Sequence, residues 1–274
     1  MRYRFLSAFA LAFVLTTLAC NTYGQYFTAT GGRSLGMAGS SLLLEDEYGI
    51  FNNPGSTTAN SLSFLAAYNT QYLGLGLNDA RIGLVLPFTK FTTGIGVMYF
   101  GDDLLNQIRV SGLVADQFGF AKVSVRGSYH QFYVQNYGYQ NAFTVDIGGV
   151  FTISEQIKLA MVFQNLTRAK LIKESETPLS SFIQIGLSYQ PIKKFRIDVQ
   201  LDKSIELPID FRLGMEYNAT DLIAIRTGFS PSTNLAALGI GLSWKFFVLD
   251  FAGNYQHQLG YSGMMSVKII KLKK

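Results

Sequence analysis

Phe195-Arg196-Ile197-Asp198-Val199-Gln200-Leu201-Asp202 sets Phe, Ile, Val and Leu on one side of the chain and Arg, Asp, Gln and Asp on the other. A period of two is the mark of a β-strand with two unlike faces. The pattern recurs. Over residues 121–130, Ala121, Val123, Val125 and Tyr129 oppose Lys122, Ser124, Arg126 and His130. Over residues 210–218, Phe211, Leu213, Met215 and Tyr217 oppose Asp210, Arg212 and Glu216. Over residues 237–245, Leu238, Ile240, Leu242 and Trp244 oppose glycines, Ser243 and Lys245. About fourteen such segments of roughly ten residues follow one another, the length of a membrane-spanning strand. They begin near Ser61, Asp79, Phe91, Asn106, Phe120, Asn141, Gln156, Ser181, Phe195, Asp210, Leu222, Leu235, Phe247 and Ser262.

The connections alternate too. Longer ones at residues 101–105, 135–140, 167–180, 203–209 and 230–234 are separated by tight turns at 116–119, 153–155, 191–194 and 218–221. Outer-membrane barrels have short periplasmic turns and longer outside loops, and an even strand count leaves both termini on the periplasmic side. A soluble two-sheet sandwich also alternates. Its exposed faces are richer in Lys and Glu than these, which are mainly Gly, Ser, Thr, Gln and Asn. Aromatic residues near segment ends (Phe88, Tyr99, Phe100, Tyr189, Phe195, Tyr217, Trp244, Phe246, Phe247) suit interfacial girdles. The reading is an all-β protein: a transmembrane antiparallel up-and-down β-barrel.

Composition agrees. Of 274 residues, 48% are hydrophobic and 15% charged, against about a quarter charged in soluble domains. The net charge of +5 is spread thinly apart from the terminal Lys273-Lys274, which argues against nucleic acid as a partner. Arg2 and Arg4 precede an apolar stretch at residues 5–18 and a weakly polar one at 21–24. This reads as a signal peptide cleaved after Gly24; the apolar run is shorter than the about 20 residues of a helical anchor. Thr17-Leu18-Ala19-Cys20 leaves a lipidated Cys20 as the alternative. Without Cys20 the mature chain has no disulfide and no thiolate metal site. The expected organisation is a signal peptide at 1–24, an N-terminal segment at 25–60 and a barrel at 61–274.

Residues 31–56 stand apart from the strands. Their glycines lack the spacing and the following Gly-Lys-Ser/Thr of a phosphate cradle, so they read as sites of close packing. His130 and His257 fall near strand ends, outside any metal spacing, and no nucleophile–base pair is visible. The expectation is a non-enzymatic protein with no cofactor and no metal. Arg109, Lys122, Arg126, Arg196, Asp198, Arg212, Glu216, Arg226, Asp250 and Lys268 lie on the polar faces. Facing lipid at the midplane costs roughly 2–4 kcal/mol for Arg or Lys, so inward placement is expected. They form either a network of paired charges that rigidifies the barrel or the lining of a selective passage.

Gly32-x-x-x-Gly36-Met37-x-Gly39-Ser40, the acidic stretch near Asp46, and Asn53-Pro54-Gly55 resemble the N-terminal signature of PorV/PorQ-type proteins. The C-terminal runs Arg226-Thr227-Gly228-Phe229-Ser230, Leu238-Gly239-Ile240-Gly241-Leu242 and Leu249-Asp250-Phe251 are similar as well. One departure is that Gly55-Ser56 follows Asn53-Pro54 directly, where the family has Asn-Pro-Ala-Gly. The resemblance implies a fourteen-stranded FadL-like outer-membrane barrel whose N-terminal segment, residues 25–60, plugs or lines the lumen, with a link to type IX secretion. Its partners would be outer-membrane lipid and secretion-system proteins or secreted cargo. The longest loop, 167–180, with Arg168, Lys170, Lys173, Glu174 and Glu176, would be the contact. The alternative is a FadL-like channel for small hydrophobic molecules, with a movable plug and an apolar lumen pocket to which Leu42-Leu43-Leu44 would contribute.

Overall fold

The computed structural model describes residues 29–170, 179–204 and 207–271. The expected signal peptide and Cys20 lie outside the described residues, as does most of the charged part of the longest loop. The strands are β1 Ser63–Gln71, β2 Leu77–Pro87, β3 Phe91–Gly101, β4 Leu105–Phe118, β5 Ala121–Val134, β6 Gly138–Thr152 and β7 Ile157–Gln164. They continue as β8 Phe182–Ile192, β9 Phe195–Ser204, β10 Asp210–Asn218, β11 Ile223–Ser230, β12 Leu235–Trp244, β13 Phe247–Gln256 and β14 Gly260–Ile270. Each pairs antiparallel with its neighbours in sequence, and β1 closes on β14. The result is the expected barrel. The ladder is regular except for a shift between Tyr189 and Ile192 in the β8–β9 pair. Among the described residues no helix is long and apolar enough to cross a membrane.

Alternation fixes which face is which. On β8, Phe182, Gln184, Gly186 and Ser188 are buried while Ile183, Ile185, Leu187 and Tyr189 are exposed. An outer face of isoleucine and leucine is stable only against hydrocarbon. Turns at the end where β1 begins and β14 ends are tight, as at residues 119–120, 193–194 and 245–246. The opposite end carries the longer connections, including 165–181. Aromatic rings stand outward near both ends: Phe88, Phe118, Tyr217 and Trp244 at the short-turn end, Tyr99, Tyr129, Tyr139 and Tyr255 at the other. Phe100 is a correction. It shares the inward parity of buried Met98, so it belongs to the lumen and not to the girdle.

Residues 29–59 run inside the barrel as one turn of helix, α1 (Gly32–Leu35), and two single 3-10 turns at Glu47–Ile50 and Pro54–Ser56. Asp46 caps the first of these by accepting from Tyr48 N at 3.0 Å, and Asn53 caps the second by accepting from Gly55 N at 2.8 Å.

Candidate functional site

Met37, Leu42, Leu43, Leu44, Ile50, Phe51 and Asn53 are all at most 2% exposed, so the inner segment fills the lumen at its level. The wall makes room with glycine. A Cβ on Gly214 would lie 2.7 Å from Met37 Cβ, and one on Gly228 would strike the Met37 backbone. Gly36 faces Gly239, where a Cβ would meet the opposing Cα at 2.9 Å. Gly55 packs on Gly148 and Gly149 in the same way, at 2.6 Å from Gly149 N. Backbone against backbone is a distance only glycine allows.

The motif residues all come to this interface. Gly32 N donates to Ser266 Oγ at 2.8 Å. Gly39, with φ +78°, turns its carbonyl to accept from Arg212 Nη1 at 3.3 Å. Asn53 Nδ2 donates to Leu42 O at 2.7 Å, and Pro54 opens the turn that seats Gly55. Tyr48 Oη lies 2.9 and 2.8 Å from the carbonyls of Ala66 and Val267, and burial pushes its phenol up, so it stays a donor.

The ten polar-face charges all take the inward parity, and nine of them are paired. Arg126 bonds Asp146 at 2.8 Å and also donates to Ile50 O. Arg196 bonds Asp198 at 2.8 Å and donates to Leu43 O. Arg212 bridges Asp210 (2.7 Å) and Asp202 (3.3 Å). Arg226 bridges Glu216 (2.7 Å) and Asp250 (2.6 Å), and Arg33 of the inner segment reaches Glu216 at 2.6 Å and Asp46 at 3.1 Å. Glu45 sits between Lys122 (3.4 Å) and Lys158. Burial alone would raise its carboxyl, but the two ammonium groups outweigh that and hold it below the usual range. Lys268 meets Glu47 at 2.8 Å. Arg109 is the exception: it has no ion pair with any described residue, and its buried Nε has no hydrogen-bond partner.

Sequence reasoning missed Arg33, Glu45, Glu47, Asp79, Arg81, Asp146 and Lys158 as members of the network. The strand members were findable, since all four share the inward parity. His130 is not a rim residue. It is buried on the inner face, with Nδ1 2.9 Å from Gln107 Nε2 and Nε2 2.9 Å from Thr144 Oγ1. His257 lies in the β13–β14 connection, as expected. No cluster of metal-ligating side chains occurs among the described residues.

Among the described residues no ion pair joins the inner segment to β1–β4. Every salt bridge from the inner segment to the wall lands on β5, β7, β10 or β14. Toward β1–β4 the packing is mainly apolar: Tyr48, Ile50 and Phe51 meet Leu65, Ala67, Val85, Leu113 and Ala115, with hydrogen bonds at β1, from Tyr48 Oη to Ala66 O and from Ser63 Oγ to Glu47. A second apolar cluster joins Leu42 and Leu43 to Val150, Ala160 and Val162 on β6 and β7.

No family profile and no curated protein matches this sequence. Solved structures do. The monoaromatic hydrocarbon channel CymD superposes with a TM-score of 0.71 at 12% identity, over 91% of this chain and 100% of that one. The fold is FadL-like. A FadL homologue of Pseudomonas aeruginosa gives a TM-score of 0.62 at 11% identity, over 90% of this chain and 99% of that one. The toluene transporter TodX of Pseudomonas putida gives 0.67 at 8%, over 90% and 99%. At such identities the likeness is one of fold: a closed fourteen-stranded FadL-like barrel.

Proposed function

We propose that the protein is an outer-membrane channel for small apolar molecules, with residues 29–59 as its plug. In this reading residues 1–24 direct export and are removed, and the short-turn end faces the periplasm. The observation that carries it is the split interface between plug and wall. Ion pairs tie the plug to β5, β7, β10 and β14, while on β1–β4 it meets the wall mainly through apolar side chains, Ile50 and Phe51 above all. Sliding apolar surfaces apart to admit another apolar molecule leaves no charge unpaired, whereas water or an ion in that seam loses its hydrogen bonds. The seam therefore favours apolar solutes.

The test is influx of a neutral aromatic fluorophore into vesicles carrying the folded barrel, beside empty vesicles and beside a sugar of similar size. Faster influx of the fluorophore alone supports the channel. Equal rates in both vesicle types contradict it. A second reading, a static scaffold of PorV/PorQ type in secretion, is favoured by the buried Arg33–Glu216–Arg226–Asp250 chain, which fixes the plug firmly. Co-purification of secretion components with the full chain, together with no influx, would support it.

A further inference from the structure

Arg109 stands apart from every other charge of the lumen. On β4 it lies two inward positions toward the long-loop end from Leu113, which belongs to the apolar seam, with only Ser111 between. In the sheet it is registered between Met98 on β3 and His130 on β5. One inward row further out, Gln107 is registered between Phe100 and Phe132. The Phe132 ring stacks on His130, with centroids 6.0 Å apart and planes within 5°.

Polar capacity around Arg109 is already spent. His130 uses both ring nitrogens, on Gln107 and Thr144. Two carboxylates lie close by in the sheet register, Asp79 opposite Phe100 and Asp146 opposite Arg126. Asp79 accepts from Arg81 at 2.7 Å and Asp146 from Arg126 at 2.8 Å. Three arginines face two carboxylates, and the surplus positive charge rests on Arg109. An ionised group without a partner at membrane depth is costly and is kept where it meets something that is not always present.

We propose that this inner patch of β3–β5 is a binding site for small aromatic anions: a carboxylate or similar group pairs with the Arg109 guanidinium, and the ring lies against Phe100, Met98 and Phe132. Arg109 is then the specificity-determining residue above the seam, and it shifts the preferred solute from a neutral hydrocarbon to an apolar acid. The guanidinium offers a planar fork that matches a carboxylate, and exclusion of water strengthens the pair. This rests on the channel reading of the lumen.

The test is isothermal titration of the full-length mature protein in nonionic detergent with 4-phenylbutyrate, its neutral amide and acetate. The wild type should bind 4-phenylbutyrate about tenfold or more tighter than either of the other two, the loss that goes with one charge-assisted pair. Arg109→Gln should bind 4-phenylbutyrate about tenfold more weakly, and Arg109→Lys should regain part of the affinity. Phe132→Ala should weaken 4-phenylbutyrate without changing acetate. All three variants are checked for the folded band on unheated gels; removing an unpaired charge leaves no partner stranded, so Arg109→Gln should fold. No binding by the wild type overturns the proposal, and so does equal binding of the amide or of acetate, or an unaffected Arg109→Gln. The channel reading fails separately, through absent influx of a neutral aromatic with phenylbutyrate binding intact.

Discussion

Met37 is 0% exposed and lies against Gly214 and Gly228, so a single side chain decides whether the inner segment seats. Gly228→Val should drive a branched side chain into the Met37 backbone and lower stability by about 1–3 kcal/mol. Gly263→Ala is the control: a Cβ there meets nothing within 4 Å, and the midpoint of the folded band in a heating series should barely move. Charges divide in the same way. Arg226→Met strands Asp250 in the lumen wall and should cost about 3–5 kcal/mol. Arg109→Met strands nothing and should leave the same midpoint unchanged or raised.

At the scale of elements, the strands were legible because their periodicity is dictated by two solvents, lipid outside and a polar lumen inside. β3, β9, β10, β12 and β13 begin at the residues expected from the sequence, Phe91, Phe195, Asp210, Leu235 and Phe247. Elsewhere boundaries slipped where polar residues continue the ladder, as at Asp116 and Gln117, which belong to β4 and not to a turn. Phe100 was misplaced because an aromatic near a strand end looks the same whichever way it points; only parity with Met98 separates the two. The inner segment was recognisable as a non-strand, glycine-rich stretch. Its partners were not, because Arg33–Glu216 joins residues 183 positions apart and no local pattern encodes that pairing. Outward parity itself is testable. Ile185→Arg, in the middle of β8 and exposed to lipid, should cost roughly 2–4 kcal/mol, measured as a shift in the urea midpoint of the folded barrel. A neutral result would mean that β8 does not face hydrocarbon.

The hold on the inner segment also has a pH dependence of definite sign. Glu45 titrates below its ordinary range, so its contribution is complete at neutral pH. It is complete above the carboxyl pKa of the unfolded chain and is lost progressively as pH falls from there through the lowered, folded value. Protease sensitivity of residues 29–59 should therefore rise in acid below the usual carboxylate range. Glu45→Gln should be more sensitive at neutral pH and gain less on acidification. An identical acid profile in both would remove Glu45 as an anchor.

For the whole molecule, the account turns on which arc of the lumen an apolar solute follows. Ion pairs hold the inner segment to β5, β7, β10 and β14 and leave β1–β4 to a mainly apolar seam, and the FadL-like fold supplies a closed wall around both. Ala67 lies in the apolar seam on β1, and Ala237 faces inward on β12; both are buried. The decisive measurement compares influx of a neutral aromatic fluorophore through vesicles carrying Ala67→Phe and Ala237→Phe, each verified as a folded barrel. The account predicts that Ala67→Phe slows influx severalfold while Ala237→Phe leaves it near the wild-type rate. Equal slowing by both, or slowing by Ala237→Phe alone, would contradict a passage along β1–β4.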